Sequence, residues 1–478
     1  MKDIVIKGGY VLTMDSQLGD LPVGDVHVRG ERILEIGKDL KVAGAKIIDA
    51  SGCIVTPGFI DGHRHTWQSL LRGMAADWSL PKYMVEARAM YCGCFDSEAA
   101  YIANYIGGLE SIDAGITTLV DHSHLQKSPD VSDALVRGLM DSGVGGFFCY
   151  ALQNVPDFLD EQKIDPKAVA ALLGRPADSW HYENAERIRR KFFDSTPGPL
   201  RFGVALFEGA AYVPHQMSLE LFARAIALKP GLITSHWNAI KKPDFYLSSL
   251  KNLHQAGAFV LPTLLSHNNQ LNESDLKIMA EAGIGHCTCP DTECGMGLGP
   301  LLARKFTDLG GAASLGVDIT CYVEASMLRQ AQLMLQVERK TAAEESGGMP
   351  MNVGWSARSA LELITINGAR SIGMDAEIGS LKPGKRADLA VIRPQSNQAM
   401  STFFDPISDP SAALLFYANA ADIRTVMIAG NLLKRDGVLQ GVDVAKVRAQ
   451  TTQAVARVQA RYNQLPHAEL QGSWAGMF

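Results

Sequence analysis

The chain has 478 residues, enough for more than one domain, and carries 45 Lys and Arg against 51 Asp and Glu, a formal net charge of -6. That balance gives no electrostatic case for nucleic acid or anionic membrane, and no apolar run approaches membrane-spanning length; the partner these features leave is a small molecule. Eight cysteines (Cys53, Cys92, Cys94, Cys149, Cys287, Cys289, Cys294, Cys321) form no CxxC pair and no dense disulfide pattern. With a start that lacks a hydrophobic signal core, they fit reduced thiols in a soluble cytoplasmic protein.

In chain order, residues 1–53 hold strand-like pieces, DIVIKGGYVLTM, DVHVRGERILEIG and AKIIDASG, each rich in alternating apolar positions. Similar pieces return near the other end, at GSLKPGKRADLAVI (379–392) and IRTVMIAGNLLKRDGVL (423–439). Together they predict one composite β-sandwich domain built from residues 1–53 and 376–440. Between them, eight short apolar runs each end on a polar or reactive group. IVTPGFID (54–61) leads to His63 and His65, ITTLVDH (116–122) to His122, GGFFCYAL (145–152) to Gln153, and RFGVALF (201–207) to Glu208. LITSH (232–236) ends at His236, FVLPTLLSH (259–267) at His267, IGHCTCP (284–290) at Cys289 and Pro290, and AASLGVD (312–318) at Asp318.

Helical patterns separate these runs. SEAAYIANYIGGLESIDAG places Ala99, Ile102, Ala103, Ile106 and Leu109 at three-and-four spacing, with Asp96 or Ser97 as cap and Gly115 as stop. Shorter helices are expected near 131–141, 183–193, 218–228, 245–256, 273–281 and 300–309. Eight alternations of strand and helix predict a (β/α)8 TIM-type barrel over 54–375, an α/β fold whose chemistry sits at the carboxyl ends of its strands. The last part, 441–478, reads as a C-terminal helix and tail packed on the outside.

In DGHRHTWQ (61–68), an extended backbone turns His63 and His65 to one face and Arg64 to the other. Taken alone, the pair is either a chelating pair or two ordinary polar residues after a buried strand.

The chain resembles the amidohydrolase superfamily, in the branch of mononuclear-metal deaminases and chlorohydrolases that includes guanine, cytosine and adenosylhomocysteine deaminases and triazine hydrolases. The resemblance lies in PGFIDGHRHTWQSLLRG, SIDAGITTLVDH, LITSHWNAI, LLSHNNQLNESDLKIMAEAGIGHCTCP, MGLGPLLARKFTDLGGAASLGVD and TINGARSIGMDAEIGSLKPGKRADLAVI. It implies a metal-dependent hydrolase that attacks an sp2 carbon of a small nitrogen heterocycle with metal-activated water, releasing ammonia, chloride, or a thiol or sulfide. It implies His63, His65, His236 and Asp318 as ligands of one divalent ion per chain, zinc first and ferrous iron second. It makes His267 and Asp318 the residues that handle water and protons, and gives Arg64 a structural pairing with a carboxylate below the metal. A homodimer or higher homo-oligomer is expected. The alternatives on the same scaffold are a ring-opening cyclic amidase and a non-catalytic binding protein.

Three departures from the family pattern stand out. SHWNAI puts Ala239 where deaminases carry a proton-shuttling glutamate, with Glu208 and Glu293 as candidate substitutes. DTECG (291–295) replaces a common proline, serine and asparagine pattern, and offers Thr292 and Glu293 for substrate recognition or loop shape. DHSH sets His122 and His124 at the mouth of the second strand, for substrate contact or for structural hydrogen bonds. Trp67 and Gln68 are expected to form a stacking and hydrogen-bonding wall for the substrate. RFGVALFEGAAYV offers no lysine to bridge a second metal, which points to one ion, with Glu208 the residue that could hold another.

Overall fold

The computed structural model describes residues 3–159, 165–195, 198–240, 248–394 and 409–473. Residues 245–247 of one expected helix, 395–408 of the expected composite domain and 474–478 of the tail lie outside the described residues. Eight parallel strands follow one another in chain order: Phe59–Arg64, Ile116–Ser123, Gly145–Ala151, Leu200–Ala205, Ile233–Trp237, Thr263–His267, Gly285–Thr288 and Ala313–Leu315. All eight predicted runs therefore supply barrel strands, and the second and third are buried at every position, as strands covered on both faces must be.

The first run divides at Gly58. Ile54–Pro57 pairs in parallel with Tyr10 and Val11 and antiparallel with Leu389–Ile392, so it belongs to the terminal sheet, and the barrel begins at Phe59 instead of residue 54. The chain passes so close to the second strand there that a Cβ on Gly58 would lie 2.1 Å from Thr117 Oγ1. Only glycine fits that crossing.

The terminal residues form the expected composite β domain, its strands hydrogen-bonded as one continuous nine-stranded mixed sheet. The reason lies in Asp3–Val11, which pairs along one edge with Leu21–Arg29 and along the other with Lys46–Asp49 and then Ile54–Pro57. Ile6, Val11, Val26, Val28, Leu389 and Val391 form part of a core separate from that of the barrel.

Helix Ser97–Asp113 starts where expected, its Asp96 side chain accepting from the Ala99 amide at 2.7 Å. Two parts were not anticipated. After the first barrel strand, Leu80–Tyr83, a π-helical stretch Met84–Met90 and a short turn Tyr91–Cys94 form a roof over the carboxyl end of the barrel. After the eighth strand, helices Met327–Glu345, Ala357–Leu363 and Ile366–Ser371 complete the outer layer. The C-terminal helix Val444–Tyr462 packs on Ser97–Asp113 and on the roof turn. No helix among the described residues is long and apolar enough to cross a membrane.

The barrel closes between its first and eighth strands. The Asp318 amide donates to the His63 carbonyl at 2.8 Å, and the His65 amide donates to the Asp318 carbonyl at 3.0 Å. A Cβ on Gly316 would lie 2.7 Å from the His63 carbonyl oxygen, so the seam has no room for a side chain. Gly316→Ala should therefore destabilise the protein by about 1–3 kcal/mol, read as a lower denaturation midpoint. Gly348→Ala, at a position with nothing within 4 Å, should leave the midpoint unchanged.

Candidate metal centre and active site

Asp61 and Arg64 anchor the first strand beneath the seam. Arg64, fully buried, donates from Nε to Asp61 Oδ2 at 2.8 Å, and its Nη1 reaches the Gly107 carbonyl and Ser111 Oγ. Asp61 Oδ1 accepts from the Val317 amide at 3.0 Å and lies 3.3 Å from the His63 amide, so one carboxylate ties both edges of the seam. The pairing expected for Arg64 is present. With Arg64 turned outward, His63 and His65 point together into the barrel mouth.

Four donor atoms meet there. His63 Nε2 lies 3.1 Å from His236 Nε2 and 3.4 Å from Asp318 Oδ1, and His65 Nε2 lies 3.1 Å from the same carboxylate oxygen. Ligands bonded to one ion at about 2.0–2.1 Å in a tetrahedron stand roughly 3.3 Å apart, so these spacings suit a single small divalent cation. Burial lowers His63 to about 4 and takes His236 well below the ordinary histidine value, keeping both imidazoles neutral. For Asp318, burial is outweighed by the close His63 and His65 imidazoles, and its carboxyl is held well below the usual range. The Nδ1 of His65 lies 2.9 Å from the His122 carbonyl, which directs its Nε2 lone pair to the cluster. His63 Nδ1 has no hydrogen-bond partner among the described residues.

Asp318 and His267 adopt left-handed backbone conformations, with φ of +62° and +74°. Such geometry costs roughly 1–3 kcal/mol at a residue with a Cβ and is sustained here by the surrounding hydrogen bonds. His267 Nδ1 lies 3.1 Å from Glu293 Oε1, which leaves Nε2 for the cavity. Burial opposes a charged His267, but the Glu293 bond and the charges of Asp318 and Glu293 prevail and raise its pKa.

Beside the cluster opens a cavity of about 620 Å3, including its mouth. Its walls are mainly apolar, with Leu80 and Met84 from the roof, Trp237 at the end of the fifth strand and Ile240 beyond it, and Leu298 and Ile319 also lining it. His65, His124, Glu208, His236, His267, Thr292 and Asp318 supply the polar side chains, together with Tyr83 and Tyr212. Glu208 Oε1 accepts from Arg88 Nε at 3.1 Å and lies 2.9 Å from His124 Nε2, while Oε2 accepts from Gln153 Nε2 at 3.0 Å. Burial would push Glu208 up, but the charge of Arg88 and the bonds from Gln153 and Arg88 carry it down to about 2.

The sequence-predicted residues thus separate into two groups. His63, His65, His236, His267 and Asp318 converge, and Glu208 reaches the same cavity. Trp67, Gln68, His122 and Glu293 are fully buried and lie outside the cavity lining. Trp67 packs edge-on against Phe95, and Gln68 donates to the Tyr83 hydroxyl at 2.6 Å, so the expected substrate wall supports the roof from behind. His122 stacks on His236 at 4.3 Å, as His124 does on His65 at 3.9 Å. Glu293 lies in a helix, Pro290–Met296, and accepts from the Cys289 amide and Asn269 as well as facing His267. Sequence reasoning missed Arg88 and the roof. The only signal was a Glu and an Arg set inside the otherwise apolar YMVEARAMYCGCF.

The amidohydrolase family model matches residues 54–433. The chain is 27% identical over 471 residues to a 5-methylthioadenosine/S-adenosylhomocysteine deaminase of Symbiobacterium thermophilum, covering 96% of this chain and 99% of that one. It is 25% identical over 476 residues to a 5'-deoxyadenosine deaminase of Methanosarcina mazei, covering 97% and 100%. Among solved structures, an adenosine deaminase from Xanthomonas campestris with bound zinc superposes with a TM-score of 0.78 at 18% identity, over 96% of this chain and 99% of that one. A variant of atrazine chlorohydrolase from Arthrobacter aurescens, complexed with zinc and atraton, gives 0.77 at 19% identity, over 95% and 100%. At these identities the structures establish the fold alone.

Because Glu293 touches His267 and not the cavity, Glu293→Gln should lower kcat about tenfold to a hundredfold while metal content and KM stay near those of the parent. A rise in KM without loss of kcat would place Glu293 against substrate.

Proposed function

The chain belongs to the amidohydrolase family, and on that premise we propose that it is a hydrolase that holds one divalent ion, zinc before ferrous iron, and replaces a small leaving group on an sp2 carbon of a nitrogen heterocycle with the oxygen of water. The observation that carries this reading is that His63, His65 and His236 bring ring nitrogens within 4.8 Å of one another, with an Asp318 carboxylate oxygen 3.1–3.4 Å from two of them, beside an apolar cavity. The deaminase names of the full-length relatives support the same class of displacement. When bound, the ion would lower the pKa of water toward neutrality and so supply a nucleophile.

The chain's own residues do the rest. His63, His65, His236 and Asp318 would hold the ion, and the Asp318 carboxylate is placed to accept a proton from water activated there. His267, steadied through Nδ1 by Glu293, turns Nε2 toward the reacting centre. The apolar walls exclude bulk water and sharpen these electrostatic effects. Ala239 lines the cavity and offers no acid for a departing amine. Glu208 cannot readily replace that acid, because the Arg88 pairing keeps it ionised. The reading therefore favours a leaving group better than ammonia, such as chloride or a thiol, or a substrate that carries its own proton donor.

Elemental analysis should find close to one divalent ion per chain. His236→Ala should lose metal and turnover together, while His267→Ala keeps most of the metal and loses turnover; equal metal loss in both would show the two roles to be misassigned. A screen that detects ammonia, halide, sulfide and ring opening separately identifies the bond broken, and ring opening without release of a substituent would favour a cyclic amidase.

A positioned acid is worth about a hundredfold to ten-thousandfold in rate, so the parent protein should deaminate guanine, adenine and cytosine slowly. Ala239→Glu should raise that weak activity. Fast deamination by the unmodified protein would sink the leaving-group argument.

A further inference from the structure

Glu208 and Asp318 are the only carboxylates among the described residues that line the cavity, and no Lys or Arg lines it. Asp318 is committed to the ion cluster. Glu208 is not, and it sits in a wall that is otherwise mostly apolar. An unpaired carboxylate there would be driven to its neutral form by burial. Arg88 prevents this: its side chain is almost wholly buried, its Nε donates to Oε1 at 3.1 Å, and its Nη2 lies 3.1 Å from the same oxygen. Gln153 fixes the other oxygen at 3.0 Å.

Arg88 is itself held from behind. Two residues earlier on the roof, Glu86 accepts from the Tyr462 hydroxyl and from Gln471 Nε2 of the C-terminal helices, and Tyr91 stacks on Tyr462 at 3.8 Å. The guanidinium thus reaches Glu208 from a roof pinned on its far side.

Resting on the heterocycle-hydrolase reading above, we propose that the Arg88–Glu208 pair is the specificity element of the cavity: Arg88 is a positioning residue that presents Glu208 as a fixed acceptor for an N–H edge of a neutral ring. The pair carries no net charge, so it selects by hydrogen bonding and does not recruit cations. A ring whose amino groups are fully alkylated offers no donor and sets methyl groups against the ionised Glu208 carboxylate, which loses water and keeps only Arg88, His124 and Gln153 as partners. Its extra methyl groups would otherwise favour it in so apolar a cavity, which makes the two effects opposite in sign and separable.

The test is calorimetric binding to the metal-loaded protein of 2,4-diamino-6-methyl-1,3,5-triazine and of its bis(dimethylamino) counterpart. The parent should prefer the diamino ring by about tenfold to a hundredfold. Arg88→Met and Glu208→Gln should each abolish or invert that preference with metal content retained, and Arg88→Lys should restore part of it. General damage to the roof would weaken both rings alike and leave their ratio unchanged, so the ratio separates positioning from folding. If Arg88→Met fails to fold, Glu208→Gln supplies the same readout. Equal binding of the two rings by the parent, or a preference that survives both variants, overturns this inference and leaves the hydrolase reading standing. Failure of the parent to bind either ring counts against both.

Discussion

The Asp318 amide donates to the His63 carbonyl at 2.8 Å and the His65 amide donates back to Asp318 at 3.0 Å; these two bonds close the barrel and set the candidate metal geometry in one stroke. Buried backbone groups left unpaired would be expensive, so the chain is strongly held to this register. Asp61 reinforces it from below by bonding Val317 on one side and Arg64 on the other. The left-handed backbone of Asp318 is tolerated because the seam leaves it no alternative. A slip of one residue would turn His63 and His65 away from the mouth, since alternate side chains in a strand face opposite ways.

Above that floor, the site depends on elements that the barrel does not require. The roof 80–94 supplies two apolar walls through Leu80 and Met84, and brings Arg88 to Glu208. Its outer side is bound by helices from the other end of the chain, through Glu86 and through the Tyr91–Tyr462 stack. Residues nearly 400 positions apart therefore share responsibility for one cavity wall. The π-helical winding of Met84–Met90 belongs with this arrangement, because such turns commonly occur where a helix must present side chains in a non-standard phase.

Burial supplies the chemical tuning. It keeps His63 and His236 neutral, and so able to donate lone pairs, while the neighbouring imidazoles hold the Asp318 carboxyl well below the usual range. Glu293 pulls His267 in the opposite direction from burial and raises it. Neighbouring imidazoles thus acquire different proton affinities from differences in their partners, the usual way in which one site assembles distinct acid and base roles.

The sequence by itself determined the eight strands, their order, and the residues at their carboxyl ends, because hydrophobic runs and the polar groups that end them are local properties. His63, His65, His236, His267 and Asp318 were legible for that reason. Trp67 and Gln68 were expected as a substrate wall from where relatives contact a heterocycle, and the sequence does not say which way a short turn faces; the fold packs them against Phe95 and Tyr83. Glu293 looked like a pocket residue until the helix Pro290–Met296 set it behind His267. Arg88 could not be placed at all, since its partner lies 120 residues away and only the folded roof brings them together. Tertiary structure alone decided these positions because side-chain direction and long-range pairing are fixed by how elements pack, while strand identity and order are already written in the local pattern of apolar and polar residues.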